Sequence, residues 1–311
     1  MLVLPLQALA EPVFSWGDMA EVREHYDAAV EDSRKQYQRK DLENLDVYPA
    51  NYFRLQALVN SFVRREVKRV LEVGVGEGTP LIALGKTGMD VWGFDLSDKM
   101  VEAARKNFKD AGFDADRICW GDIQDSLTYT HLLRSGLFDG VLAMGVMPHV
   151  ANDSLVLDNI ATCLRPNGSV FIEFRNKLFS MFTFNRLTYD FILDDLLAGV
   201  DQRVRDAVAQ ELKPRLRMDL PPSRDTLADG APGYDAILSR FHNPFEVMEV
   251  FRRKGFKDIE LLWYHYHPAL PMLESKLGPL FRKEALKLEH ETSGWRGLFL
   301  CSAFVVEATR G

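Results

Sequence analysis

Five short apolar runs, VKRVLEV (67–73), DVWGFDL (90–96), DRICWGD (116–122), FDGVLAM (138–144) and SVFIEF (169–174), are separated by segments with helical punctuation. Strands this short become parallel neighbours only through a crossover, and a helix between each pair supplies one. The alternation predicts an α/β fold: a doubly wound, Rossmann-like, mostly parallel sheet with its strand carboxyl ends along one edge. The helix signals fit. TPLIALGKTG is stopped by Gly88, Ser97 caps DKMVEAARKNFKDAG before Gly112, and Asp125 caps a short helix. NDSLVLDNIATCLR (152–165) is helical, and Pro166-Asn167-Gly168 turns it into the fifth strand.

Ahead of this core, a helix is expected over 18–40, with Asp18 and Glu21 as a capping box, and a second from Asn51 to about Val67. After Arg175 the alternation lapses into a mixed helical stretch with the loop DLPPSRDTLADGAPGYD. It resumes at Asn243, an N-cap followed by Pro244 and Glu246, with a helix to Gly255 and a strand over 257–266. A second insertion carries the helix FRKEALKLEH, and GLFLCSAFVVE (297–307) is the seventh strand. The expected organisation is a single domain over 1–311: a helical lid 1–66, a ligand-binding core 67–175, an inserted substrate cap 176–243, and a return to the core over 244–311 interrupted by 267–294.

Charge and cysteine usage exclude several classes. A net charge of −7 argues against a nucleic-acid partner, which needs clustered basic residues. Cys119, Cys163 and Cys301 are odd in number and lack metal or disulfide spacing, which fits a reducing cytoplasm. The start MLVLPLQALA has no basic leader and is broken by Pro5 and Gln7, so a signal peptide is not expected. No run reaches the ~18 apolar residues of a membrane span. Self-association into a homodimer stays open.

The loop VLEVGVGEGTP (70–80) narrows the ligand. Dinucleotide folds use G-x-G-x-x-G to seat a pyrophosphate, whereas Gly74, Gly76 and Gly78 give G-x-G-x-G behind Glu72. A carboxylate there repels phosphate and suits an amino group. Asp95, at the end of the next strand, is placed for ribose hydroxyls, and Met100 one turn on for an adenine face. Asp122 in WGDIQD is placed for an adenine amino group, with the Ile123 amide beside the ring. An amino acid, a ribose and an adenine without phosphate describe S-adenosyl-L-methionine.

VLEVGVGEGTP, GFDLSDKMVEAAR, WGDIQD, FDGVLAMGVMPHV and LDNIATCLRPNGSVFIEFRN, in this order, resemble the class I S-adenosylmethionine-dependent methyltransferases, in their ubiquinone-biosynthesis-like small-molecule branch. The likeness is close over about 50–175 and loose over the last helix and strands. It implies an antiparallel last strand inserted beside the preceding one. It also implies a cofactor set of Arg54, Glu72, Gly74, Gly76, Asp95, Leu96, Met100, Gly121, Asp122, Ile123 and Met144, with Arg54 meeting the cofactor carboxylate.

Methyl transfer asks the protein to align an acceptor, exclude water and, for a hydroxyl or ammonium, remove a proton. His149, just past strand four, is the candidate base, with packing near the substrate as its plainer role. Arg175, Asn176, His242, His265 and His267 are candidate substrate contacts; ordinary loop polarity and packing are the competing roles. YHYHP (264–268) lacks further ligands, so no metal is expected. Tyr26, Tyr37, Tyr48 and Tyr52 are lid candidates.

Strand four does not end in the D/N-P-P-Y of nucleic-acid amino-methylases, and no Pro-Cys nucleophile is present. The acceptor expected is a small molecule taking the methyl on O or N, with a sugar-containing or natural-product compound as the suggested kind. Two other functions stay open: intramolecular cyclisation or aminopropyl transfer from the same cofactor, and an inactive cofactor-binding partner subunit.

Overall fold

The computed structural model describes residues 16–29, 50–220, 226, 230–232 and 236–311. The expectations placed on 1–15, 30–49 (including Tyr37 and Tyr48) and much of the 219–235 loop lie outside the described residues.

All seven expected strands form, with shifted ends: β1 Arg69–Val73, β2 Asp90–Asp95, β3 Ile118–Trp120, β4 Phe138–Ala143, β5 Leu164–Arg175, β6 Phe256–Tyr266 and β7 Cys301–Arg310. They make one sheet in the order β3-β2-β1-β4-β5-β7-β6. β1 pairs parallel with both β2 and β4, and β7 runs antiparallel between β5 and β6. The chain order therefore reverses beside β1, the point at which open α/β sheets leave a crevice at their strand carboxyl ends.

Helices cover both faces. α1 (Trp16–Ala28) and α2 (Ala50–Arg64) precede the sheet; α3 (Thr79–Gly85), α4 (Asp98–Asp110), α5 (Asp153–Cys163) and α8 (Pro244–Arg253) connect its strands. Leu58 and Phe62 of α2, Leu81 of α3 and Phe108 of α4 pack with Val70 and Val91 on one face. Ile160 of α5 and Phe251 of α8 pack with Val141, Phe174 and Phe304 on the other. At about 25 cal/mol per Å², burying each such Phe contributes roughly 2–3 kcal/mol before entropy is counted. Ser97 accepts from the Met100 amide and Asn243 from Phe245, the caps that the sequence predicts, and Asn152 caps α5 by accepting from Leu155.

Three boundaries depart from the sequence reading. β5 begins at Leu164, opposite Phe138, and resumes at Ser169 opposite Gly140. The Pro166-Asn167-Gly168 turn is thus a bulge in the strand, with Asn167 at φ 61°. GLFL (297–300) is a helical turn and not the start of β7, because Trp263 lies flat on Gly297, where an added Cβ would be 2.1 Å from its ring. α1 begins at Trp16, so Asp18 stands in its first turn and not at its cap.

The two insertions pack at the β5–β7–β6 end. The first holds α6 (Arg186–Asp190), a π turn over Phe191–Leu196 and the exposed α7 (Gln202–Leu212); the second holds a helix over Pro279–Leu288. Among the described residues no helix is long and apolar enough to cross a membrane.

Candidate active site

A cavity of about 330 Å³ opens at the β1–β4 crevice. All eleven sequence-predicted cofactor residues line it: Arg54, Glu72, Gly74, Gly76, Asp95, Leu96, Met100, Gly121, Asp122, Ile123 and Met144. His149 lines it as well.

The β1–α3 loop owes its path to its glycines. The Gly74 and Val75 amides donate to the Phe94 carbonyl at 2.9 and 3.0 Å, which tucks the loop against β2. Gly74 has φ 71°, and a Cβ there would lie 2.4 Å from Val146 Cγ2. Gly76 has φ 53° with nothing within 4 Å of its missing Cβ, so the backbone itself faces the cavity.

Asp95 is fixed by this loop. Its carboxylate accepts from the Gly76 amide at 2.8 Å and the Ser97 amide at 2.9 Å. Burial raises its pKa to about 6, against the lowering effect of those two bonds. Asp122 accepts from the Gln124 amide at 2.9 Å, so it shapes its own turn while lining the cavity; burial raises its pKa as well.

Glu72 is 1% exposed, and its Oε2 is buried with no hydrogen-bond partner. Burial raises its pKa well above the ordinary carboxylate value; Arg54 pulls it back, and Glu77 and Asp95 push it further up. An orphaned carboxylate oxygen at a cavity wall calls for a donor from a ligand, and an ammonium group meets that need. Glu72, Asp95 and Asp122 along one cavity, with Met100 and Ile123 among its apolar walls, fit the amino acid, ribose and adenine of S-adenosyl-L-methionine. Among the described residues no cluster of three metal-ligating side chains occurs.

α1 closes the cavity from above. Met19, Val22, His25 and Tyr26 line it, and Asp27 accepts from the Ser97 hydroxyl and the Lys99 amide at the head of α4. Tyr52, the other described lid candidate, does not line it; its ring packs edge-on against Phe53.

His149 is 3% exposed. Its Nδ1 lies 2.7 Å from the Leu238 carbonyl, which can only accept, so Nδ1 carries the proton and Nε2 the lone pair. That lone pair takes the Tyr26 hydroxyl at 2.9 Å. Burial lowers the His149 pKa to about 4, partly offset by the Leu238 bond, with Arg175 and His25 lowering it further.

The five predicted substrate contacts are not brought to this cavity. Asn176 is fully buried, donates to the Leu298 and Cys301 carbonyls at 2.8 Å each and accepts from the Leu178 amide, anchoring the cap to the sheet. His242 lies 3.3 Å from Asp153 and edge-on to Phe174. Arg175 donates to Ser239 at 2.7 Å and covers the Phe241 ring. His265 and His267 stack on each other at 5.1 Å, and His267 also meets Phe179. Burial holds the His265 pKa down near 4 and that of His267 well below the ordinary value. Two features escaped the sequence reading. His25 and Asn51 also line the cavity, with no local pattern to mark them. Glu173 pairs with Arg54, and its signal was available: one carboxylate inside the apolar run SVFIEF.

A doubly wound sheet with one reversed strand, carrying a glycine loop and acids at successive strand ends, is similar to the class I S-adenosylmethionine-dependent methyltransferases. Residues 71–172 match the methyltransferase domain family. A ubiquinone biosynthesis O-methyltransferase of Dechloromonas aromatica is 28% identical over 147 residues, 47% of this chain and 60% of that relative. A second, from Aromatoleum aromaticum, is 30% identical over 145 residues, again 60% of the relative. The chain thus spans less than two thirds of the length of these relatives. Magnesium protoporphyrin IX methyltransferase of Synechocystis PCC 6803, solved with bound S-adenosylhomocysteine, shares the fold at a TM-score of 0.51 and 14% identity, covering 94% of this chain and 100% of that one.

Proposed function

We propose that this chain transfers a methyl group from S-adenosyl-L-methionine to a small-molecule acceptor, with an oxygen as the preferred methyl-accepting atom. The observation that carries the reading is the convergence of Glu72, Asp95 and Asp122 with His149 on one cavity. When bound, the cofactor supplies an electrophilic methyl group for in-line displacement. Glu72 holds its ammonium and Arg54 its carboxylate; Asp95 takes the ribose hydroxyls and Asp122 the adenine amino group. Met100, at 1% exposure, gives the base a rigid apolar wall.

His149 takes the acceptor's proton on Nε2. With a pKa near 4 it is neutral at physiological pH and ready to accept, and the Leu238 carbonyl steadies the imidazolium that forms on Nδ1–H. Tyr26 holds Nε2 while the lid is shut, so the acceptor replaces that hydroxyl at the nitrogen. Preference for oxygen rests on the O-methyltransferase relatives, which match over the cofactor half alone. A sugar-containing acceptor gains no support from them, and no nucleic-acid acceptor is proposed for a chain of charge −7.

The test is mass spectrometry of turnover with candidate phenolic and carboxylic acceptors. S-adenosylhomocysteine together with a product 14 Da heavier supports the reading. Methylthioadenosine as by-product overturns it in favour of aminopropyl transfer or cyclisation.

A further inference from the structure

We propose that Glu173 is a positioning residue that holds Arg54 at the amino-acid end of the cofactor cavity and so sets the grip on that end. The inference rests on the cofactor assignment above. Glu173 sits on β5 between Ile172 and Phe174, both fully buried, and is itself 7% exposed. Arg54, on α2, is 6% exposed and forms an ion pair with it. Tyr264, on β6, is buried beside this pair; burial and the Glu173 carboxylate raise its pKa, and Arg54 lowers it. The Arg54 guanidinium carbon lies 6.0 Å from the centre of the Tyr264 ring, within cation–π range.

Of these three residues Arg54 lines the cavity, while Glu173 and Tyr264 back it. Arg54 also acts on Glu72, lowering that carboxyl's proton affinity. One cation is thus shared by two buried carboxylates, Glu72 at the cavity wall and Glu173 behind it. A long guanidinium stem left to itself turns to the stronger partner. Glu173 supplies the pull that keeps Arg54 off Glu72, so that the Glu72 oxygen that lacks a partner stays open to an ammonium. With Glu173 neutral, Arg54 pairs with Glu72, and the recognition point for the ammonium is lost while the nucleoside end is untouched.

The experiment compares two ligands by calorimetry on the full chain. S-adenosylhomocysteine carries the amino acid; 5′-methylthioadenosine has the same nucleoside thioether without it. Glu173→Gln is expected to weaken S-adenosylhomocysteine at least tenfold and to leave methylthioadenosine within twofold. Tyr264→Phe, which removes only the hydroxyl beside the Arg54–Glu173 pair, weakens S-adenosylhomocysteine about threefold with the same selectivity and serves if Glu173→Gln does not fold. Equal losses for both ligands, or no loss for either, overturn the positioning role. Wild-type chain that binds neither ligand overturns the cofactor assignment itself, a separate outcome.

Discussion

The two ends of the cavity are built by opposite strategies. At the β2–β3 end each ligand-facing acid sits at or just beyond a strand's carboxyl end, and the same residue organises its own loop: Asp95 accepts from Gly76 and Ser97, Asp122 from Gln124. At the β4–β5 end the groups that matter are held from far away. His149 is oriented by Tyr26 and Leu238, and Arg54 by Glu173 across 119 residues of chain. A local site is specified by a motif, whereas a remote one is specified by packing. Damage to the first should therefore show in affinity for the nucleoside part of the cofactor; at the second, damage to His149 should show in the chemical step and damage to Glu173 in the grip on the amino-acid part.

The largest expected effect separates those two ends. His149→Ala should lower kcat by about 10²- to 10⁴-fold, the range for loss of a general base, and leave S-adenosylhomocysteine affinity nearly unchanged in calorimetry. The pH profile sharpens it: with a His149 pKa near 4, kcat should stay level from neutrality down to about pH 5 and fall only as pH drops through 4. A kcat within threefold of wild type for His149→Ala removes His149 from the proton transfer.

Gly74→Ala comes next. A methyl group 2.4 Å from Val146 Cγ2, on a backbone at φ 71°, must push the loop or the β4 end aside. A misplacement of about 1 Å costs on the order of 10²-fold in turnover, read by steady-state kinetics. Unlike His149→Ala, it should also weaken S-adenosylhomocysteine.

A smaller, pH-dependent effect marks Asp95. Its raised pKa of about 6 means the carboxyl is half protonated there, and ribose hydroxyls need the ionised form. Affinity should rise with pH through 6, by roughly tenfold between pH 5 and pH 7. Asp95→Asn should flatten that dependence at a lower affinity.

Asn176→Ala should have the smallest catalytic effect. It leaves the Leu298 and Cys301 carbonyls without their donor, costing about 2 kcal/mol of unfolding free energy in denaturant titrations. KM for the acceptor should hold, because Asn176 ties the cap to the sheet and does not face the cavity.

The sequence made the cofactor end legible because its geometry is local. Glycines at positive φ, an acid at a strand end and a serine cap act within a few residues, so their spacing carries the structure. Asn176 and His242 looked like substrate contacts by the same reasoning, since polar residues follow a strand. Neither lines the cavity: the Asn176 side chain donates to the Leu298 and Cys301 carbonyls, and the His242 ring lies beside Asp153 and Phe174. Glu173 shows the converse: a buried acid announced a partner, but nothing nearby in the chain named Arg54.

By itself the sequence determined the alternating α/β order, the caps and the glycine-and-acid series that a phosphate-free adenosyl ligand requires. Only the tertiary structure decided that Tyr26 meets His149, that Arg54 answers to Glu173, and that the histidines of YHYHP stack away from the cavity. The physical reason is range. Backbone conformation and capping are settled within about one turn of chain, whereas a buried charge or imidazole takes its partner from whichever element packs against it.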